Sequence, residues 1–277
     1  MQVKPPFAAI LSFLAGMAAS IAVTWAAGDI CATPEATEVV SLAGLDRHGD
    51  LLLADGRTVR LAGLAPRQND AERERFAAQL TRWQGQAFRL APLGGADRWG
   101  RLPARLLAAE DANDPFAGQP DLTAALLAGG AALRLSEPGL AACNELWRKA
   151  EPRPIAAGKP QNRSPATAQG GFAAVAFPAV DGHDAAAMKA QAGRIVVVEG
   201  RIAAVGERAQ RTYLNFERRR GAGGSIVLSR ALWRELQRAG WTAATLTGKR
   251  VRVRGVVEGR DGLLIEAETR SALELID

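Results

Sequence analysis

Residues 50–67 read DLLLADGRTVRLAGLAPR, from Asp50 to Arg67. This stretch predicts a β-hairpin. Leu51, Leu52 and Leu53 make an apolar strand. Ala54-Asp55-Gly56-Arg57 makes the turn, and an Asp-Gly pair is among the strongest short hairpin signals because it accepts the positive φ such turns demand. Thr58 to Leu64 alternates loosely as the return strand, and Pro66 stops it. Upstream, Glu38–Leu45 reads as a first strand with Val39 and Val40 at its start. Downstream, Asn69–Trp83 reads as a helix, with Phe76, Leu80 and Trp83 at helical spacing and Asp70 placed to cap it. Trp83 is expected in the core. Gln86–Pro92 and Arg101–Glu110 read as further strands, with Pro103 marking an edge or a bulge in the second. Asp121–Leu127 is a short helix ended by Gly129-Gly130. Cys143–Ala150 begins another, cut by Pro152 and Pro154.

The hairpin, the run RLAGLAPR and the later run Ala96-Asp97-Arg98-Trp99-Gly100-Arg101 together resemble the staphylococcal-nuclease-like (thermonuclease) family. That resemblance implies a five-stranded OB-type barrel capped by helices. It also implies phosphodiester cleavage with one Ca²⁺ held mainly by two aspartates, a glutamate base and two phosphate-binding arginines. Carried over residue by residue, the two arginines fall on Arg60 and Arg101. The carboxylates do not carry over. The second metal aspartate falls on Ala65, and the base glutamate on Arg67. Arg47-His48-Gly49-Asp50 stands where a DGDT-like segment is expected, which leaves Asp50 as the candidate metal ligand. Ca²⁺ needs six to eight oxygen ligands, and an arginine is a fixed cation where a proton acceptor is required.

The chain has 277 residues, 48% of them apolar, and a formal charge of +6. All of that excess lies between Arg194 and Asp277, which points to an anionic partner for the C-terminal part or to a generally arginine-rich composition. Phe7 to Ala27 is uncharged and follows Lys4. It reads either as a signal peptide or as one inner-membrane-spanning helix, with the rest of the chain exported to the periplasm. In an oxidising compartment the two cysteines, Cys31 and Cys143, are expected to form a disulfide around the whole first domain. Such a bridge would stabilise by about 4 to 5 kcal/mol in the chain-entropy account.

Glu151–Ala187 reads as a Pro-rich linker, with Phe172 and Phe177 able to dock it on a domain. His183 beside Asp184 lies in it and reads as a solvated loop. A second domain begins near Gly193. Strands are expected at Arg194–Gly200, Arg201–Arg208, Arg211–Glu217, Ser225–Leu228, Lys249–Val257 and Leu263–Glu268. The fourth and fifth are separated by an amphipathic helix, Ser229–Gly240, with Ser229 as its cap. That order suits an OB-type barrel. The runs VVVEGRI, RTYLNF and GKRVRVRGVVEG resemble a small OB module that follows a degenerate thermonuclease-like domain in some alphaproteobacterial exported proteins.

The expected organisation is therefore mainly β with capping helices. Residues 1–30 form a signal peptide or anchor, 31–150 a thermonuclease-like OB barrel, 151–192 a linker, and 193–277 a second OB-like barrel of five to six strands. Three functions are open. One is a catalytically degenerate, exported binding or envelope-associated module. Another is a Ca²⁺-dependent nuclease recruiting Asp46, Asp50 or Asp97. The third is a nucleic-acid or polyanion binder using Arg211 and Tyr213 on one strand face, followed by Arg218, Arg219 and Arg220. Arg250, Arg252 and Arg254 alternate on one strand as either a phosphate track or an ordinary solvated face.

Overall fold

The computed structural model describes residues 31, 38–109, 114–154, 177–219, 221–259, 261 and 263–276. The apolar run at residues 7–27, most of the linker and Arg220 lie outside them. No helix among the described residues is long and apolar enough to cross a membrane.

The first unit is a closed five-stranded barrel. Strand β1 spans Glu38–Leu45, β2 Leu51–Leu53 and β3 Thr58–Leu61; β4 spans Ala87–Pro92 and β5 Arg101–Ala108. They close in the order β1-β2-β3-β5-β4. The Asp-Gly turn sits between β2 and β3 as its sequence requires, with Leu51 and Leu53 buried and Leu52 half-buried between them. β3 is shorter than the alternation suggests. Beyond it, Leu64 makes a single bridge to Arg134. Gly63, at φ +84°, holds the chain against Trp147, whose ring a Cβ would meet at 2.3 Å. Only glycine fits that position.

Pro103 does not mark an edge, because β5 lies between β3 and β4. The β4–β5 ladder ends at the Pro92–Ala104 pair, and beyond it Pro103 only accepts, its carbonyl taking the Leu93 N–H at 2.9 Å. A residue without an N–H is tolerated there.

Helix α1 (Asp70–Leu80) is capped by Asn69, not Asp70: the Asn69 side chain accepts from the Glu72 N–H. A 3₁₀ turn at Thr81–Trp83 follows and buries Trp83, whose Nε1 donates to the Pro115 carbonyl at 3.0 Å. Helices α2 (Leu122–Ala128) and α3 (Ala141–Ala150) cover the barrel. Asp121 caps α2, accepting from Ala124 N, and its other oxygen takes Arg105 Nε at 2.7 Å and Trp147 Nε1 at 3.1 Å. Arg105 in turn donates to the Cys31 carbonyl. Cys31 and Cys143 are disulfide-bonded across 112 residues, with Cα atoms 5.2 Å apart.

The stretch read as linker contains ordered structure near its end. Strand β6 (Ala179–Asp181) and helix α4 (Ala185–Lys189) belong to the second unit. β6 pairs in parallel with β7 (Ile195–Arg201). Then come β8 (Ala204–Glu207), β9 (Arg211–Asn215), β10 (Ser225–Ser229), helix α5 (Arg230–Arg238), the short α6 (Ala243–Leu246), β11 (Arg250–Glu258), β12 (Leu264–Ala267) and β13 (Leu273–Leu275). The second sheet runs β6-β7-β11-β12-β10-β9-β8, with β13 on β11. Ser229 caps α5 as expected. His183 is not simply a solvated loop. Its Nδ1 lies 2.9 Å from Glu217 Oε1, and its Nε2 accepts the Arg201 N–H at 3.1 Å. That pins the start of the second unit onto β7.

The two units meet along a seam. Ala65 and Leu133 from the first pack with Ala179 and Val197 from the second, and Phe177 and Ile195 border them. Arg75 lies over the Phe177 ring at 5.4 Å. The Gln68 amide makes paired hydrogen bonds to Ile195, donating to its carbonyl at 2.8 Å and accepting its N–H at 2.7 Å.

The Arg250, Arg252 and Arg254 row is not a phosphate track. Glu199, buried on β7, takes Arg250 at 3.0 Å and Arg252 at 2.5 Å. Glu274, on β13, takes Arg252 and Arg254, each at 3.0 Å. Arg254 Nη2 lies 2.5 Å from Glu151 of the first unit, which also holds buried Arg134. Arg134 reaches across to the Ser271 carbonyl at 3.1 Å. Each guanidinium is paired internally; Arg254 is buried and Arg252 only partly exposed. Burial is the largest effect on Glu274 and opposes its charge, yet Arg254, Arg252 and Arg134 together hold its carboxyl below the usual range.

Candidate functional site

A cleft of about 660 Å³ opens on the first barrel. Its floor comes from β2 and β3, and its rim from the 46–50 loop, the 97–101 turn and the start of α1. Five arginines line it (Arg47, Arg60, Arg67, Arg73 and Arg101), against two aspartates, Asp46 and Asp50. The sequence places Arg60, Arg101 and Asp50 at a common site, and the fold does bring all three to this cleft.

Each is already engaged. Arg60 Nη1 donates to Glu137 Oε1 at 2.6 Å, and its Nη2 faces Oε2 at 3.5 Å. Glu137 also accepts the Gly63 N–H at 3.3 Å. Asn144 fixes the Glu137 backbone from both sides, its amide accepting at 2.9 Å and donating at 2.8 Å. Arg101 Nε donates to Asp97 at 2.9 Å, and its Nη1 reaches Asp50 Oδ2 at 3.2 Å. The Asp97 contact chiefly raises the Arg101 pKa, with burial opposing and Asp50 assisting.

The remaining acids serve the backbone. Asp46 Oδ1 accepts from the N–H groups of His48 at 2.8 Å and Asp50 at 3.0 Å. Asp97 Oδ1 does the same for Trp99 at 2.9 Å and Arg101 at 3.0 Å. Both turns thus have a carboxylate oxygen committed to holding the loop that presents the next charged residue.

Arg67 stands where the resemblance puts a base. Its Nη2 donates to the Gly49 carbonyl, and its guanidinium carbon lies 4.4 Å from the centre of the Phe76 ring. Burial pushes its pKa below the ordinary arginine value, while Asp50, Asp46 and Glu72 act the other way. An arginine remains charged even so. Ala65 does not line the cleft. It is 3% exposed, packs in the seam with Val197, and donates its N–H to the Leu133 carbonyl.

The calcium that the resemblance implies does not fit these residues. A hard cation wants several carboxylate and carbonyl oxygens converging on one point. Asp50 is tied to Arg101, Arg67 occupies the Gly49 carbonyl, and the position for a second aspartate faces another domain. Among the described residues no three His, Cys, Asp or Glu side chains group to hold a metal.

Trp99 at the rim is 64% exposed. Arg98 lies 3.9 Å and Arg101 4.9 Å from its ring centre. The rim therefore offers an aromatic face next to cations.

The residues singled out on the second unit are spread out. Arg211 is exposed and Tyr213 half-buried on one face of β9. Arg218 and Arg219 are exposed beyond the far end of that strand, so the whole length of β9 separates them from Arg211. Sequence reasoning missed Glu137, which lies 77 residues from Arg60 in an ordinary Ser-Glu-Pro run. It also missed Gln68. Neither has a local signal.

Neither a family model nor a curated protein matches the chain. A solved structure, OBody AM1L10 bound to hen egg-white lysozyme, is 22% identical over 34% of this chain and 92% of that one, with a TM-score of 0.26. A likeness of that size carries no argument about this chain.

Proposed function

We propose that this is a thermonuclease-like protein, built from two OB-type units and exported, whose first cleft binds a phosphate-bearing anion without hydrolysing it. It acts as a binding or envelope-associated module. The observation that carries this reading is the charge of the cleft: five arginines line it against two aspartates, and Arg67, at the position of the expected base, sits on the Gly49 carbonyl. Guanidinium groups recognise phosphate oxygens in pairs of parallel hydrogen bonds. An exposed tryptophan at the rim supplies a stacking surface for a ring attached to that phosphate.

The chemistry of hydrolysis argues in the same direction. Water attack needs a proton acceptor within hydrogen-bond reach. Asp97 has both oxygens engaged, by turn N–H groups and by Arg101, while Asp46 holds a turn through Oδ1 and Asp50 meets Arg101 through Oδ2, so each candidate base is tied to a turn or to a cation.

The test is equilibrium binding of a fluorescent single-stranded oligonucleotide to the full chain in EDTA. Binding that needs no metal, falls with salt and weakens in Arg60→Ala and Arg101→Ala supports the reading. Absence of binding in EDTA, restored by Ca²⁺, contradicts it.

A further inference from the structure

Helix α5 carries Arg230, Arg234 and Arg238, all exposed, one helical turn apart. Its opposite side buries Leu232, Trp233 and Leu236. Arg211 pairs with Ser229, the residue before the helix, and Arg208 N donates to the Arg211 carbonyl. Arg208 and Arg211 are exposed too, so five exposed arginines lie on the helix and the strand end that leads into it.

The arginines on this face outnumber the carboxylates near them. Among the described residues none of the five makes a salt bridge. The nearby carboxylates are Glu207, which accepts Trp233 Nε1 at 3.0 Å, and the exposed Glu235. The arrangement also runs against local helix physics. Like charges four residues apart repel. Arg230 sits in the first turn, where the helix dipole disfavours a cation, and no acid accompanies it there. Arg238, in the last turn, suits the dipole, whereas Arg230 and the four-residue arginine spacing do not.

We propose that this face lies on an anionic phospholipid surface, with the five arginines held by headgroup phosphates. Charge complementarity sets the class of partner. Two features favour lipid over nucleic acid. The aromatics near the face, Trp233, Tyr213 and Trp241, are buried or half-buried, so none presents a fully exposed ring to stack a base. The second rests on reading the uncharged run from Phe7 to Ala27, about the length that spans a bilayer, as an anchor and not a signal peptide: an anchor keeps the second unit within reach of headgroups.

Each arginine near an anionic bilayer contributes about 1 kcal/mol, roughly fivefold. To test the proposal, the full chain carries an environment-sensitive fluorophore at Gln237→Cys, on the exposed side of α5. It is mixed with vesicles of phosphatidylcholine alone or with phosphatidylglycerol added. The label's emission is expected to shift only when phosphatidylglycerol is present and to revert in high salt. Arg230→Gln/Arg234→Gln/Arg238→Gln lowers the engaged-to-free ratio on the order of a hundredfold. The corresponding triple lysine variant, which keeps the charge, retains the response and excludes misfolding as the cause of the loss. An unshifted label on phosphatidylglycerol, or the same shift on neutral vesicles, overturns the proposal. So does a response to a DNA duplex but not to phosphatidylglycerol, which would assign the face to nucleic acid.

Discussion

Glu137 holds Arg60 across the mouth of the cleft, with Oε1 2.6 Å from Nη1 and 3.3 Å from the Gly63 nitrogen. A phosphate entering the cleft competes with that carboxylate for the same guanidinium. On the proposed reading, ligand binding at Arg60 must displace an acid that lies 77 residues away in the sequence.

Glu137→Gln removes the competing charge while keeping the shape. Affinity for a phosphate-bearing oligonucleotide is expected to rise on the order of tenfold, the worth of about one charge-assisted hydrogen bond. Titration by fluorescence anisotropy reads this directly, with Glu137→Gln/Arg60→Ala as the control that cancels the gain.

Ala65→Asp puts a carboxylate into the seam beside Leu133 and Val197. An unpaired buried charge is costly. The variant should lose about 2 kcal/mol or more of stability without gaining calcium affinity, as thermal unfolding with and without Ca²⁺ would show.

Glu151→Ala leaves Arg254 and Arg134 facing each other with one carboxylate fewer. Breaking a buried ion cluster from one side costs about 3 to 5 kcal/mol. Denaturant unfolding should show that loss, and the contact between the two units should open first, visible as faster hydrogen exchange at Ile195 than in β11.

The same cluster sets an acid limit. Glu274 has its pKa depressed in the folded protein, so it stabilises the fold at pH values above the ordinary glutamate value of about 4.3. That contribution is lost as pH falls through the lower folded value. Stability measured against pH should drop below about pH 4.3, and Glu274→Gln should flatten the drop while lowering stability at neutral pH.

Much of the architecture is written locally. The Asp-Gly turn, the leucine strand before it and the Val39-Val40 strand carry their own periodicity, so β1 to β3 are legible. Ser229 as a cap and Leu232, Trp233 and Leu236 on one helix face make α5 equally so. The disulfide pairing follows from two cysteines and an expected export. The hidden parts depend on distant partners. β13 is three residues long and exists because Val251 and Val253 offer a free ladder. β6 lies at the end of a Pro-rich stretch and forms only against β7. The alternation of Arg250, Arg252 and Arg254 looks like a solvated face until Glu199, Glu274 and Glu151 arrive from other elements. At the site, Arg60, Arg101 and Asp50 are legible from their motifs, whereas Glu137 has no signal in its own neighbourhood. Ala65 falls where the resemblance puts an aspartate, but nothing in its neighbourhood shows that it packs against Val197 of the second unit.

The central claim is that the cleft binds without cutting. The most direct measurement is cleavage of single-stranded DNA by the full chain with Ca²⁺, with EDTA, and as Arg60→Ala. The account predicts intact DNA in all three, from protein that still binds the oligonucleotide in EDTA. Calcium-dependent cleavage that disappears in EDTA and in Arg60→Ala would contradict it.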